Sequence, residues 1–212
     1  MSIWFFPLLL LLFMNACRNN SDKPGENNNL PKQDSTSYIN PENIPNPYAG
    51  MDLSPMDMSY YPVDYPILKM TGSISTAPVI RLIYSRPHLQ GRKLFHDLLK
   101  YGEPWRLGAN EATEIHFYRD VNINNKIIPA GRYVLYCIPN ETKWTIVLNN
   151  SIDTWGLKID STKDFQKFDI PVTRNNLKLE YLTIVFEKTG KGADLIIAWS
   201  ELLARLPIEF TP

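Results

Sequence analysis

The sequence predicts an all-β domain over residues 67–212, an antiparallel β-sandwich of the jelly-roll kind with one or two short helices. Beyond Ile67, apolar and polar residues alternate with a period of two, and β-branched and aromatic residues are frequent. Residues that favour tight turns separate the alternating stretches, as they do in sandwiches. The strands that this pattern predicts are residues 79–84, 113–119, 132–138, 143–148, 165–172, 179–187 and 193–199.

Turn and helix signals complete the prediction. Asn124 and Asn125 tolerate positive φ angles, as do the glycines of residues 189–192, so both stretches suit tight hairpins between antiparallel strands. Helical patterns are confined to residues 93–99 and 201–206. Roughly seven to nine short strands with so little helix favour a sandwich over an α/β fold. A closed β-barrel is the alternative architecture.

The N-terminus has the pattern of an export signal. Residues 4–13 form an unbroken apolar run, which is shorter than the about 20 residues needed to span a bilayer. Met14, Asn15, Ala16 and Cys17 follow it and resemble a lipobox, the motif whose cysteine is acylated and becomes the new N-terminus. We therefore expect residues 1–16 to be a cleaved signal peptide and Cys17 to be lipidated. An ordinary signal peptide followed by a chance cysteine is the alternative.

Residues 17–47 have the composition of a flexible tether. Asn, Ser, Asp and Pro are enriched there, and such a stretch cannot offset the entropy that is lost on ordering. We expect a cell-envelope protein that is anchored to a membrane through its lipid and faces the periplasm or the outside. Cys137 then has no disulfide partner, and its place in an alternating stretch predicts an inert, buried thiol.

The charge balance argues against one class of partner. Lys and Arg together number 22, as do Asp and Glu, so the chain carries no net charge at pH 7. No field of one sign exists to draw the chain onto a polyanion. We therefore expect no nucleic-acid binding.

From Tyr84 onward the chain carries a series of sequence motifs. They are YSRP at residues 84–87, GR at 91–92, WRLGANEAT at 105–113, PAGRY at 129–133, IP at 138–139, KWTIVLN at 143–149, DTWG at 153–156, and the late stretches VFEK and IIAW. In these motifs the chain resembles a family of bacterial domains, domain of unknown function 2911, which is common in envelope proteins of the Bacteroidetes type. The resemblance implies a β-rich globular domain. It implies almost nothing about chemistry, because the family is named for its unknown function.

The densest group of polar residues lies within residues 85–111, among glycines and prolines. Loops of this kind collect binding residues. Guanidinium groups match oxyanions through paired hydrogen bonds, and an indole face stacks on a sugar ring or a cation. In the alternative interpretation, Trp105 plugs the sandwich while Arg106 and Glu111 form a buried ion pair. The residues predicted to bind a small polar or anionic ligand, such as a glycan, are Arg86, Arg92, Trp105, Arg106, Asn110 and Glu111.

The sequence contains no motif that indicates an enzyme. Ser85 and Ser200 lack the nucleophile-elbow pattern, and the three histidines are far apart without zinc-binding spacing. We therefore expect a non-catalytic protein without catalytic residues. His116 has two interpretations, a metal ligand of the cupin kind or, as the alternation favours, a solvent-facing strand residue.

Residues 48–66 form a segment rich in Met, Pro and Tyr. The thioether sulfurs of Met51, Met56 and Met58 are soft ligands that suit Cu(I) in an oxidising compartment. Residues 54–58, SPMDM, resemble the methionine motif of periplasmic adaptors of copper and silver efflux pumps. Copper is thus the alternative to a protein without a cofactor. The competing interpretation is that Met and Tyr side chains pin the segment along an apolar groove, while its prolines prevent an additional strand.

These observations favour a lipid-anchored envelope protein whose sandwich is a non-catalytic binding or scaffolding module. Its partners would be the membrane and an unknown small ligand or envelope protein. Copper(I) handling and a purely structural lipoprotein are the alternative functions.

Overall fold

The chain folds into antiparallel β-structure, which confirms the predicted fold class. The computed structural model describes residues 52–210. Helical structure within that range consists of α1 (Tyr65–Met70), a π-helical turn (Leu94–Leu98) and a 3₁₀ turn (Ser161–Lys163). The strands are β1 (Met56–Tyr61), β2 (Ile80–Ser85), β3 (Glu114–Phe117), β4 (Val121–Ile123), β5 (Lys126–Ile128), β6 (Gly131–Pro139), β7 (Lys143–Asn149), β8 (Asp164–Lys188) and β9 (Gly192–Phe210).

The strands form a sheet in the order β1-β2-β3-β6-β7-β8-β9-β4-β5, and every neighbouring pair is antiparallel. The long strand β8 belongs to both halves of the sandwich. One half contains β1, β2, β3, β6 and β7, and the other contains β9, β4 and β5. Its first part, up to Pro171, pairs with β7, and its later part, from Val172, pairs with β9. The chain just after β2 also bonds to β8, because the Leu182 amide donates to the Pro87 carbonyl at 2.9 Å. The two halves are therefore held together on more than one side.

The core lies between these halves and follows from the period-two pattern. In β2 the inward residues Ile80, Leu82 and Tyr84 are buried, whereas Arg81 and Ile83 between them are partly exposed. Each large apolar side chain that leaves water contributes roughly 1.5–3 kcal/mol. The alternation thus determines which face of each strand turns inward.

The structure corrects one of the two predicted helices. Residues 93–99 contain the π-helical turn, but residues 201–206 belong to β9. Within them, residues 202–204 pair with β8, where Leu203 lies opposite Thr173. Ala204, Leu206 and Ile208 are buried in alternation with exposed residues. Pairing with a distant strand has overridden the local helical pattern.

The segment before the predicted domain also differs from expectation. In the competing interpretation of residues 48–66 the prolines prevent an additional strand, yet β1 forms between Pro55 and Pro62. That part of the interpretation is wrong because both prolines flank the strand and leave its own amides free to pair. The helix α1 follows at once, with Pro66 in its first turn. Among residues 52–210, no helix combines the length and apolar character that crossing a membrane requires.

Candidate functional site

A cleft of about 440 Å³ lies where several loops meet. It is bordered by the chain around the π-helical turn, by the loop that follows Trp105, by Gly156 and Leu157, and by Ser54 before β1. Its ionisable lining side chains are three cations and one carboxylate. These are Arg92, Lys100, Arg106 and Glu103.

Trp105 holds the loop of residues 105–113, here called the central loop, against the core. Its backbone pairs with that of Cys137 through hydrogen bonds of 2.7 and 2.8 Å. The indole stacks on Trp199 at a centroid distance of 5.7 Å and meets Trp144 edge-on at 6.0 Å. Because only 7% of Trp105 is exposed, its ring faces are not free to stack on a sugar. The residue borders the cleft and contributes mainly to packing.

Arg106, the next residue, occupies a different environment. It is partly buried, and its Nη1 atom is fully covered yet has no hydrogen-bond partner among the described residues. Burial lowers the pKa of the guanidinium, and the charge of Glu111 offsets this only in part. Glu111 is itself exposed, so it does not form the buried ion pair of the alternative interpretation. Arg106 therefore brings a poorly compensated positive charge to the cleft.

Tight packing fixes the backbone that carries Arg106. A Cβ atom on Gly108 would lie 3.0 Å from the carbonyl oxygen of Ser85. A Cβ atom on Gly156, which has φ of +74°, would lie 3.0 Å from the Cβ of Ala112 and 3.3 Å from that of Arg106. Leu107 is buried with φ of 53°, a conformation that is unfavourable for a leucine. Strain of this kind persists only where the surroundings enforce it, so the loop has little freedom to relax.

Arg92 lines the cleft from the opposite loop. Its Nε donates to the Leu89 carbonyl at 2.8 Å and its Nη2 donates to the His88 carbonyl at 2.9 Å. These bonds hold the guanidinium beside the backbone turn. Lys100 and Glu103 form an ion pair at 3.5 Å, so their charges largely cancel. The excess positive charge of the cleft resides on Arg92 and Arg106.

The other predicted ligand-binding residues lie outside the lining. Arg86 pairs with Asp57 of β1 at 3.2 Å and donates to the Leu182 carbonyl at 3.1 Å. Asn110 donates to both carboxylate oxygens of Asp52, at 3.1 and 3.0 Å. Glu111 is exposed and does not border the cleft. Arg86 and Asn110 thus hold the chain at and before β1, while Arg92, Trp105 and Arg106 meet at the cleft.

Sequence reasoning missed the remaining contributors to the cleft. Ser54, Lys100, Leu157 and Trp199 come from widely separated parts of the chain. Leu157 follows the DTWG motif and is 73% exposed, which is unusual for a leucine. An exposed apolar residue beside a motif is visible only once burial is known, so the sequence contained no usable signal for it.

Two of the three predicted copper ligands lie within the described residues. Met56 and Met58 project from the same face of β1 and are 47% and 52% exposed. The Ser85 hydroxyl donates to the Met56 sulfur at 2.9 Å. Met51 and the lipidation candidate Cys17 lie outside the described residues. Within residues 52–210, no three side chains of His, Cys, Asp or Glu are grouped as a metal site would require.

His116 lies on β3 between the buried residues Ile115 and Phe117, as alternation predicts. Its ring stacks on Tyr118 at 3.9 Å. Burial lowers the pKa of His116, and the nearby charges of Arg81 and Arg132 lower it further. The imidazole is therefore neutral at pH 7.

Cys137 is a free thiol within the core, as predicted. It is fully buried on β6, and burial raises the pKa of the thiol well above its ordinary value. Such a thiol is unreactive, because the thiolate is the nucleophilic form.

The comparisons with known proteins give a family and no function. Neither the curated proteins nor the solved structures include a significant match to this chain. The model of one family, described as protein of unknown function (DUF2911), matches residues 68–208. This range contains β2 to β9 and the loops that carry Arg92, Trp105 and Arg106, whereas β1 and Ser54 precede it. The chain belongs to the DUF2911 family.

Proposed function

We propose that this chain is a lipid-anchored envelope protein whose domain binds a small carboxylated ligand, such as an acidic sugar, in the cleft. The observation that carries this is the charge of Arg106, which is partly desolvated and has no acid paired with it among the described residues. An unpaired charge in such a place is costly, and an oxyanion in the cleft would compensate it. Arg92, on the facing loop, would supply a second cation.

The dimensions of the cleft support a small ligand. Binding pockets for small molecules have volumes of roughly 300–1,000 Å³, and this cleft has about 440 Å³. Its walls include Leu98, Leu99 and Pro104 beside the charged groups. A ligand with one anionic group and a less polar body fits that combination. Trp105 would contribute an edge of its ring and hold Arg106 in place.

We propose binding without catalysis. Within the described residues, the side chains that line the cleft include no imidazole and no thiol. Ser54 supplies a hydroxyl, but no histidine lies beside it in the lining to act as a base. The chemistry that remains is recognition by charge and shape.

Isothermal titration with D-glucuronate, and with D-glucose as the neutral counterpart, tests this function. We expect glucuronate to bind and glucose to bind far more weakly. A hydrogen bond to a charged group contributes roughly 1.5–3 kcal/mol, so Arg106→Gln should weaken glucuronate binding by roughly tenfold or more. Arg174→Gln, at an 85% exposed arginine of β8, is the matched control and should bind as the wild type does. If the Arg106→Gln variant binds glucuronate as tightly as the wild type does, Arg106 does not bind the ligand and has only a structural role.

The envelope location is a separate part of the proposal. Its support is the lipobox-like run that ends at Cys17. Cells that express the chain in the presence of radiolabelled palmitate should yield labelled protein in the membrane fraction. Cys17→Ser should abolish the label. Incorporation that persists in the variant would contradict lipidation at this residue.

Copper(I) handling is the second candidate function, because Met56 and Met58 share one exposed face of β1. Two thioethers at a spacing of two residues on a strand lie near each other, and Met51 would be the third ligand. Competition for Cu(I) against a bicinchoninate chelator tests this. The wild type should remove copper from the chelator, and the triple variant with Met51, Met56 and Met58 replaced by Ser should not. Equally poor competition by both proteins would eliminate this candidate.

A further inference from the structure

The chain immediately before β1 forms part of the cleft. Residues 52–55, here called the leading segment, contribute Ser54 to its lining. The segment precedes residues 68–208, the range that matches the family model. One wall of the cleft therefore comes from outside the family-matched region.

Few bonds hold the leading segment in place. Asn110 donates to the Asp52 carboxylate at 3.0 and 3.1 Å and to the Ser54 carbonyl at 3.3 Å. The Ser54 amide donates to the same carboxylate at 2.8 Å, which closes a local turn. The Arg86 amide donates to the Pro55 carbonyl at 3.0 Å. Asp52 and Leu53 are exposed, and Ser54 is partly buried.

Asn110 connects the leading segment to the central loop. It lies four residues after Arg106, in the same loop, with φ of 55°. The side chain that holds the segment and the charge proposed to bind the ligand thus share one strained stretch of backbone. Only three residues separate Asn110 from Arg106 along this backbone.

We infer that the leading segment is a movable wall of the cleft, whose docking through Asn110 and ligand binding at Arg106 favour each other. This rests on the proposed function of the cleft. Because three of the bonds that hold the segment are exposed to solvent, we expect it to detach at a lower free-energy cost than β1 and the core. Coupling is reciprocal, so a bound ligand must strengthen docking as much as docking strengthens ligand binding.

The experiment combines affinity for D-glucuronate with amide hydrogen exchange of residues 52–61, using the full chain. In the wild type, glucuronate should slow exchange at residues 52–54 more than in β1, since Pro55 has no amide hydrogen. Asn110→Ala should speed exchange there without ligand and should weaken glucuronate binding several-fold. Asp52→Ala, at an exposed position that no core packing depends on, should reproduce both effects. Asn176→Ala, at an exposed asparagine of β8, is the control and should change neither measurement.

Two outcomes separate failure of this inference from failure of the proposed function. Suppose that the wild type binds glucuronate and that both Asn110→Ala and Asp52→Ala bind it equally well. The leading segment then does not contribute to ligand binding, and this inference is overturned while the proposed function stands. If the wild type shows neither binding nor a change in exchange with glucuronate, the proposed function fails and the inference falls with it.

Discussion

Two consecutive residues have different roles: Trp105 packs in the core, and Arg106 lines the cleft. The backbone of Trp105 is paired with Cys137, and its indole is enclosed by Trp144 and Trp199. Arg106 is directed to the cleft by the same stretch of backbone. Mutations at the two positions should therefore have different signatures, one on stability and the other on binding.

Replacement of Trp105 by Ala should destabilise the domain strongly. Removing a buried aromatic side chain costs about 3–5 kcal/mol through lost burial and the cavity that remains. The change appears as a lower midpoint in urea-induced unfolding. Trp155→Ala is the control, because Trp155 is 59% exposed and should cost little. A loss from Trp105→Ala as small as that from Trp155→Ala would contradict the expected contribution of Trp105 to stability.

His116 should make stability depend on pH. Arg81 on β2 and Arg132 on β6 lie opposite it in register, Tyr118 stacks on it, and Glu114 on its own strand pairs with Arg132. Because folding lowers the pKa of His116, the unfolded chain binds its proton more readily. The free energy of unfolding should be insensitive to this group above about pH 6.5 and should fall as the pH drops from there.

Urea unfolding measured between pH 7.5 and pH 5 checks this expectation. In the His116→Gln variant, the free energy of unfolding should fall less as the pH drops, because the contribution of His116 is removed. A His116→Gln profile that matches the wild type would contradict the expected direction.

At the scale of elements, β9 shows why the local sequence pattern was insufficient to predict secondary structure. Residues 201–206 have the helix-favouring sequence Glu-Leu-Leu-Ala-Arg-Leu, yet they lie in a strand in which residues 202–204 pair with β8. The register between β8 and β9 shifts near Leu179, and Ser200 opposite it has φ of 53°. This irregularity disrupts the alternation at the point where sequence reasoning placed the end of the strand. Long-range pairing is not visible in a local window.

The beginning of β9 lies against its own end. The Phe210 amide donates to the Lys191 carbonyl at 3.0 Å, and a Cβ atom on Gly192 would collide with the backbone of Ile208 and Glu209. Gly192→Ala should therefore destabilise the domain by about 1–3 kcal/mol, as overpacked sites do. Gly190→Ala is the control, since a Cβ atom there meets no heavy atom within 4 Å. Thermal unfolding of both variants provides the measurement, and equal melting temperatures would refute the expected collision.

At the scale of the whole molecule, the fold was predictable and the cleft was not. The β-sandwich follows from alternation and turn residues, which are properties of short windows. The cleft instead needs Ser54, Arg92, Arg106 and Leu157 to meet, and these residues are spread over more than a hundred positions. Arg92, Trp105 and Arg106 were found because they lie in one polar region. Arg86 and Asn110 share that region, but their side chains turn to β1 and to the leading segment.

The folded unit should extend beyond the family-matched residues. Tyr61 of β1 contacts Phe210 at a ring distance of 4.8 Å, and the Ser59 hydroxyl donates to the Ile184 carbonyl at 2.5 Å. A chain that begins at residue 62 should therefore lose about 2 kcal/mol or more relative to one that begins at residue 52. Guanidinium unfolding of the two truncated chains measures this. Equal stability would show that β1 is dispensable.

The bond between Asn110 and Asp52 also determines how the domain would respond to mechanical pull. A force applied from the N-terminal side reaches Asp52 before it reaches the six paired residues of β1. The few exposed bonds around Asp52 would give way first, and the ladder with β2 would resist after them. Tension on the chain would thus open the cleft at forces that leave the sandwich intact.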